Sequence, residues 1–447
     1  MDVGFRSNET GVHFLFKYFI TEKKETVMIL LLCISVALVA GLMMTRLFKQ
    51  FHLPDVTSYL IAGVLLGPCL IGRLGLPGVG FSSFELVDTF QPISDVALGF
   101  IAFAIGSEFR LSSLRTTGRA AVIVGIFQAV AATLLVDAAL LALHLFLGDK
   151  LPVSAAITLG AIAAATAPAA TLMVVRQYKA KGPLTDILLP VVALDDAVGL
   201  VIFAISFGAA QAMESNSASI ASIAVEPLLE IVLSLALGAL LGWVLTLMER
   251  WFLSNRNRVA MIAGFVVAAV ALSMVSFEIA GLTVKFSSLL VCMMLGTVFC
   301  NTCPNSEDLM GRADKWSAPL LTLFFVLSGA ELHLDVFTDL AVVGIGLVYI
   351  LARSLGKYFG AMGSSRIVGC APAIQKYLGI TLLPQAGVAL GMASQVGSLG
   401  EIGSTIRSIV LFGVLIYELV GPTLTKMALT AAGDIKPKEE KPAKASA

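Results

Sequence analysis

The chain has 447 residues, of which 57% are apolar and only 13% charged, with 30 Lys+Arg balancing 30 Asp+Glu. Average soluble domains are about 25% charged, so this much apolar surface needs lipid around most of it. The even charge balance gives no footprint for nucleic acid.

Residues 1–27 carry charges of both signs without a cleavage-like signal and read as a polar or interfacial lead-in. Apolar stretches then follow near 28–48, 56–72, 92–109, 119–146, 152–175, 185–213, 225–248, 258–277, 283–300, 316–331, 337–361, 372–395 and 403–426. Each can cross a hydrocarbon layer of about 30 Å as a helix. Barrel-like period-2 alternation is missing, and lipid admits no other spanning structure. The expected fold is therefore an all-α polytopic membrane protein of about thirteen helices over 28–428, with a disordered tail over 429–447. Basic residues test this order. Connections after odd-numbered stretches hold clusters such as Arg110, Arg115 and Arg119, or Arg250, Arg256 and Arg258, whereas those after even-numbered ones hold only Arg73, Lys150 and Lys285. The positive-inside rule then puts the N-terminus outside and the C-terminus in the cytoplasm.

Six cysteines occur, mostly in apolar runs, where a thiol behaves as a small hydrophobe. Cys300 and Cys303 form a CxxC, but no second pair or nearby His completes a zinc site.

Ionisable groups at mid-membrane cost at least about 2.5–3.5 kcal/mol each on insertion scales, so each needs a use or a partner. Asp195 and Asp196 stand side by side in the sixth stretch, about 15 Å from its cytoplasmic end. Arg353 lies at similar depth in the eleventh, with Lys357 one turn nearer the cytoplasm, and Glu418 in the thirteenth. A structural ion pair is the plain explanation for any one of them. Adjacent aspartates point about 100° apart on a helix, so one cation cannot easily neutralise both. One can pair with Arg353 or Lys357 while the other faces a cavity.

Two stretches are interrupted at matching depth, by Pro168 in Ala165-Thr166-Ala167-Pro168 and by Pro384 in Leu383-Pro384-Gln385-Ala386-Gly387. Proline removes a donor and frees carbonyls of the preceding turn. A single kink would be ordinary; two in corresponding places of two halves point to an ion site. The first precedes the Asp195–Asp196 stretch and the second the Glu418 stretch, in opposite senses, as inverted repeats require.

These residues carry a resemblance. Tyr59 to Pro68 (YLIAGVLLGP), Phe103 to Glu108 (FAIGSE), Thr166-Ala167-Pro168, Leu194-Asp195-Asp196 and Ala352 to Gly356 (ARSLG) make the chain, from about 28 to 428, similar to the monovalent cation:proton antiporter superfamily, nearest its second family. The resemblance implies two broken, crossed helices, a homodimer with a mobile core, and elevator-type alternating access. It implies that Asp196 binds either a cation or a proton, with Asp195 as its partner. It also implies a multi-pass protein of a bacterial inner membrane that moves Na⁺, or else Li⁺ or K⁺, against H⁺ without a cofactor. Hard oxygens suited to an alkali ion are Asp196, Thr166 and carbonyls near Ala165 and Ala167. The pairing of Asp-Asp with Arg353 mixes features of electrogenic and electroneutral relatives.

Other classes fit less well. An intramembrane aspartyl protease needs aspartates on separate helices. A symporter or organic-anion carrier could use the same architecture, and a channel would differ in its response to opposed gradients. No P-loop supports a primary pump.

Overall fold

The computed structural model describes residues 9–51, 53–75, 78–106, 109–214, 220–279, 282–332, 334 and 339–436. In chain order its helices are α1 (Glu9–Phe48), α2 (Asp55–Leu66), α3 (Phe84–Asp88), α4 (Gln91–Gly106), α5 (Leu111–Leu147), α6 (Val153–Ile162), α7 (Pro168–Gln177) and α8 (Pro183–Glu214). There follow α9 (Ile220–Glu249), α10 (Asn255–Ser273), α11 (Ser288–Thr302), α12 (Ser306–Ala330), α13 (Leu340–Ile367), α14 (Pro372–Thr381), α15 (Gly387–Gln395) and α16 (Glu401–Ala432). Among the described residues, eight helical segments are long and apolar enough to cross a membrane, and α4, α6 and α11 are shorter apolar helices.

Local chemistry sets several boundaries. Ser287 caps α11 by accepting from Leu290 N, and Asp339 caps α13 by accepting from Ala341 N and Val342 N; such side chains satisfy amides that have no partner within the helix. Pro168 and Pro372 open α7 and α14, the position where a missing N–H costs least.

Two expectations need correction. The chain is not wholly α: Phe277–Ile279 (β1) and Leu282–Val284 (β2) pair antiparallel between α10 and α11. Their alternating β-branched and aromatic residues explain the departure. At the N-terminal end, α1 starts at Glu9, within the polar lead-in, and runs unbroken into the first apolar stretch. The tail begins later than residue 429, since α16 continues to Ala432 and Asp434 is built into the fold. Its Oδ2 accepts from Thr185 N at 2.6 Å and from Thr185 Oγ1 at 2.7 Å, and its backbone O accepts from Lys181 N at 3.0 Å. Asp434 therefore caps the first turn of α8. Residues 437–447 lie outside the described part.

Two groups of helices frame the interior. In one, α2 packs on α1 and α12, and α4 on α11 and α12. These contacts are close because glycines interlock. A Cβ on Gly63 would strike the α12 backbone at Val326, and one on Gly329 would strike the α2 backbone at Leu60. Gly106 and Gly296 make the same exchange between α4 and α11. Small residues let membrane helices approach to backbone contact, which is where dispersion is gained when lipid supplies no hydrophobic drive. In the other group, α5 packs on α6, α8 and α13, and α6 on α8, with α14 and α16 against α13. Of the spanning windows, those of α8 and α16 are the most buried, at 62% and 61%, against 17% for α1. The helices carrying Asp195 and Glu418 are thus interior ones.

Candidate functional site

The two interrupted stretches meet. Residues 163–167 part α6 from α7, and residues 382–386 part α14 from α15. Ala167 N donates to Pro384 O at 2.8 Å, and Gln385 Nε2 donates to Ile162 O at 3.0 Å. Tyr349 on α13 holds Gln385 by donating to its Oε1 at 3.1 Å. Each break thus supplies donors and acceptors for the other, as buried backbone requires away from water.

Arg353 is fully buried and spans the junction. Its Nε donates to Ala163 O at 3.0 Å, one terminal nitrogen to Leu383 O at 2.7 Å and the other to Ala165 O at 2.6 Å. Its guanidinium lies 4.5 Å from the Tyr417 ring centroid. These carbonyls end α6 and α14, where a helix leaves acceptors unsatisfied and its dipole favours a cation. The planar fork reaches three at once.

Lys357, one turn on and also fully buried, is the partner of Asp195. Its Nζ lies 3.0 Å from Asp195 Oδ2, 2.9 Å from Thr166 Oγ1 and 2.6 Å from Ala164 O. Thr166 donates to the same carboxylate oxygen at 2.6 Å. Gln128 of α5 donates to the other oxygen, Oδ1, and to Gly125 O at 2.9 Å. Asp195 is thereby held on both oxygens, by a lysine, a hydroxyl and an amide. Of the two candidate partners left open by the sequence, the direct ion pair goes to Lys357, while Arg353 binds carbonyls. Thr166 and Ala165 O, expected to face an alkali ion, are taken by Asp195, Lys357 and Arg353 in this arrangement.

The side chain of Asp196 lies outside the described residues. Its position on α8 is informative all the same. A cavity of about 480 Å³ opens against the breaks, lined by Ala167 and Pro168 at the start of α7, Ala386 and Val388 at the start of α15, and Ala193 and Leu200 of α8. Position 196 is three residues after Ala193 and four before Leu200, on the same helical stripe. Glu418, 6% exposed, also lines this cavity, with Asp95 and Glu331. Among the described residues no group of His, Cys, Asp and Glu is suited to holding a metal ion, and the six cysteines are free thiols.

Sequence reasoning did not single out Gln128, Tyr349, Gln385 or the acids Asp95 and Glu331. A neutral amide deep in an apolar stretch was the available signal for Gln128. Asp95 and Glu331 stand close to helix ends, where an acid looks like an ordinary boundary residue.

A bundle of membrane-spanning helices whose two interruptions are stitched together beside buried, compensated charges defines a polytopic secondary transporter rather than an enzyme. The chain belongs to the sodium/hydrogen exchanger family, whose transmembrane region matches residues 18–431. It is thus an integral membrane cation/proton antiporter, in agreement with the resemblance carried by its motifs. Among curated proteins it is similar to the K(+)/H(+) antiporter subunit KhtU of Bacillus subtilis, 22% identical over 400 residues, covering 88% of this chain and 92% of the relative. It is also similar to the Na(+)/H(+) antiporter NhaS4 of Synechocystis, 24% identical over 425 residues, covering 90% and 98%. In fold it resembles the sodium proton antiporter MjNhaP1 of Methanocaldococcus jannaschii, with a TM-score of 0.69 and 19% identity over 92% of this chain and 99% of that one.

Proposed function

We propose that the chain exchanges a monovalent cation for protons by elevator-type alternating access, with Asp196 binding either species in turn. The observation that carries this reading is the division of labour between neighbours. Asp195 is fully engaged by Lys357, Thr166 and Gln128, while position 196 falls on the α8 stripe that lines the cavity. A carboxylate there offers one charge, and a proton and a cation compete for it; that competition couples the two fluxes. Na⁺ is favoured, with Li⁺ and K⁺ as alternatives, since the curated relatives are named for both Na⁺ and K⁺ exchange. Thr166 in this reading fixes the Asp195–Lys357 pair, and joins the cation only if that pair opens.

The wider frame is about thirteen crossings in inverted repeats, with crossed breaks at residues 163–167 and 382–386, in a homodimer of a bacterial inner membrane. On the topology set by the basic loops, the cavity-lining parts of α4, α11, α12 and α15 lie in the outer half. The opposite end is closed by the Arg176–Asp314 ion pair between α7 and α12, and by Asp55 N donating to Gln177 Oε1 at 2.8 Å. This is the pattern of an outward-facing state.

The test is reconstitution in liposomes with a pH dye, adding Na⁺, Li⁺ and K⁺ in turn. Asp196→Asn keeps the size of the residue but cannot carry the exchangeable proton. It should fold, because a neutral amide is cheaper to bury, and abolish exchange with every cation. Asp195→Asn should be milder. Full exchange by folded Asp196→Asn overturns the assignment. Flux that follows the cation gradient and ignores an opposed proton gradient would favour a channel, and co-directional flux a symporter.

A further inference from the structure

The cavity carries polar groups that the exchange step does not use. Glu418, midway along α16, is 6% exposed, and its carboxylate makes no hydrogen bond or ion pair among the described residues. On α4, Ser94 lines the same cavity; it is 4% exposed and its hydroxyl oxygen is buried without a hydrogen-bond partner among the described residues. Buried polar atoms are almost always satisfied, so an unsatisfied hydroxyl on the same cavity as a carboxylate without an ion pair needs an explanation. Charge makes the need sharper. The electrostatic neighbour of Glu418 is Glu331, next to the end of α12, and the neighbours of Glu331 are Asp88 and Asp95. Among the described residues, no Lys or Arg lines the cavity. The acids thus run from Asp95 near the start of α4, past Glu331, to Glu418 opposite the α8 stripe that includes position 196.

We propose that Glu418 and the Ser94 hydroxyl form a second cation station in the vestibule, which holds a partly hydrated monovalent cation before it reaches Asp196. The proposal rests on the exchange reading, which supplies the cation. Hard oxygens, one of them charged, suit an alkali ion. The acids do not gather into a group able to chelate a metal, so a divalent ion lacks the ligands it needs. The cavity, at about 480 Å³, leaves room for the water that completes the shell. Glu331 and Asp95 add a negative field at the mouth, which raises the local cation concentration without binding tightly.

The experiment is equilibrium binding of radiolabelled Na⁺, and separately Rb⁺ as a K⁺ substitute, to the purified full-length chain. Asp196→Asn should retain a weaker, saturable component. Adding Glu418→Gln should weaken that component about tenfold, the scale of one lost charge at a partly hydrated site. Glu418→Asp, in the same background, should restore part of it. Adding Ser94→Ala should weaken it about threefold, and since that hydroxyl bonds nothing among the described residues, the melting temperature should be unchanged. Absence of any saturable component in folded Asp196→Asn overturns the second station. So does a component indifferent to both Glu418→Gln and Ser94→Ala. Retained exchange by Asp196→Asn would be a separate result, counting against the role of Asp196.

Discussion

Lys357 and Arg353 are one turn apart on α13 and carry the same charge, yet they answer different needs. Lys357 compensates a carboxylate, and Arg353 compensates helix ends. Lys357→Ala should leave Asp195 charged, buried and unpaired, at a cost of about 3–5 kcal/mol. Asp195→Asn in the same chain should recover most of that loss, because the amide needs no cation. Arg353→Ala should cost a similar amount through three orphaned carbonyls, at about 1–3 kcal/mol each before relaxation. Asp195→Asn should not rescue it. Arg353→Lys should recover only part, since a single ammonium cannot reach carbonyls on two breaks in the fork geometry. Thermal melts of the five variants in detergent check this; rescue of Arg353→Ala by Asp195→Asn would contradict the assignment. The sequence placed all these residues at one depth. It could not divide the roles, because the choice between lysine and arginine is made by the carbonyl ring of residues 163–165 and 383, which exists only once two distant breaks meet.

Broken and glycine-locked helices are the elements that shape the site. Proline and neighbouring small residues made the breaks legible, since a proline within an apolar stretch has a defined backbone consequence. The hairpin of β1 and β2 was not legible: its three-residue strands lie at the seam of two apolar stretches, and a short apolar run has no clear period. Nor was the lock between α2 and α12, where Gly63 and Gly329 are two among 40 glycines of the chain. Gly329→Val should push α12 off the α2 backbone and lower stability by about 1–3 kcal/mol, the usual range for overpacking. Gly344→Ala on α13 is the control, because a Cβ there meets nothing. Equal melting temperatures for the two variants would remove the lock as a structural determinant.

For the whole molecule, the exchange reading fixes how transport depends on pH. A protonated Asp196 has no charge to offer a cation. Apparent cation affinity should therefore fall as pH drops and rise as pH increases, until deprotonation is complete; above that, affinity should be flat. Initial dye-reported rates at several cation concentrations and pH values test it, and an apparent affinity independent of pH would count against a shared carboxylate. Orientation belongs to this scale too. A reporter fused after Ala447 should behave as cytoplasmic, in keeping with the basic loops.

Asp434 ties the end of α16 to the first turn of α8 through Thr185. Asp195 lies ten residues further along the same helix, about 15 Å away. The turn that follows α16 is therefore a mechanical anchor for the helix that carries the paired aspartates. Shortening the protein for purification or crystallisation has an unequal cost on either side of that anchor. A stop after Lys436 should leave melting temperature and transport as they are. A stop after Gly433, three residues earlier, would strip the cap from α8 and loosen its first turn by about 1 kcal/mol.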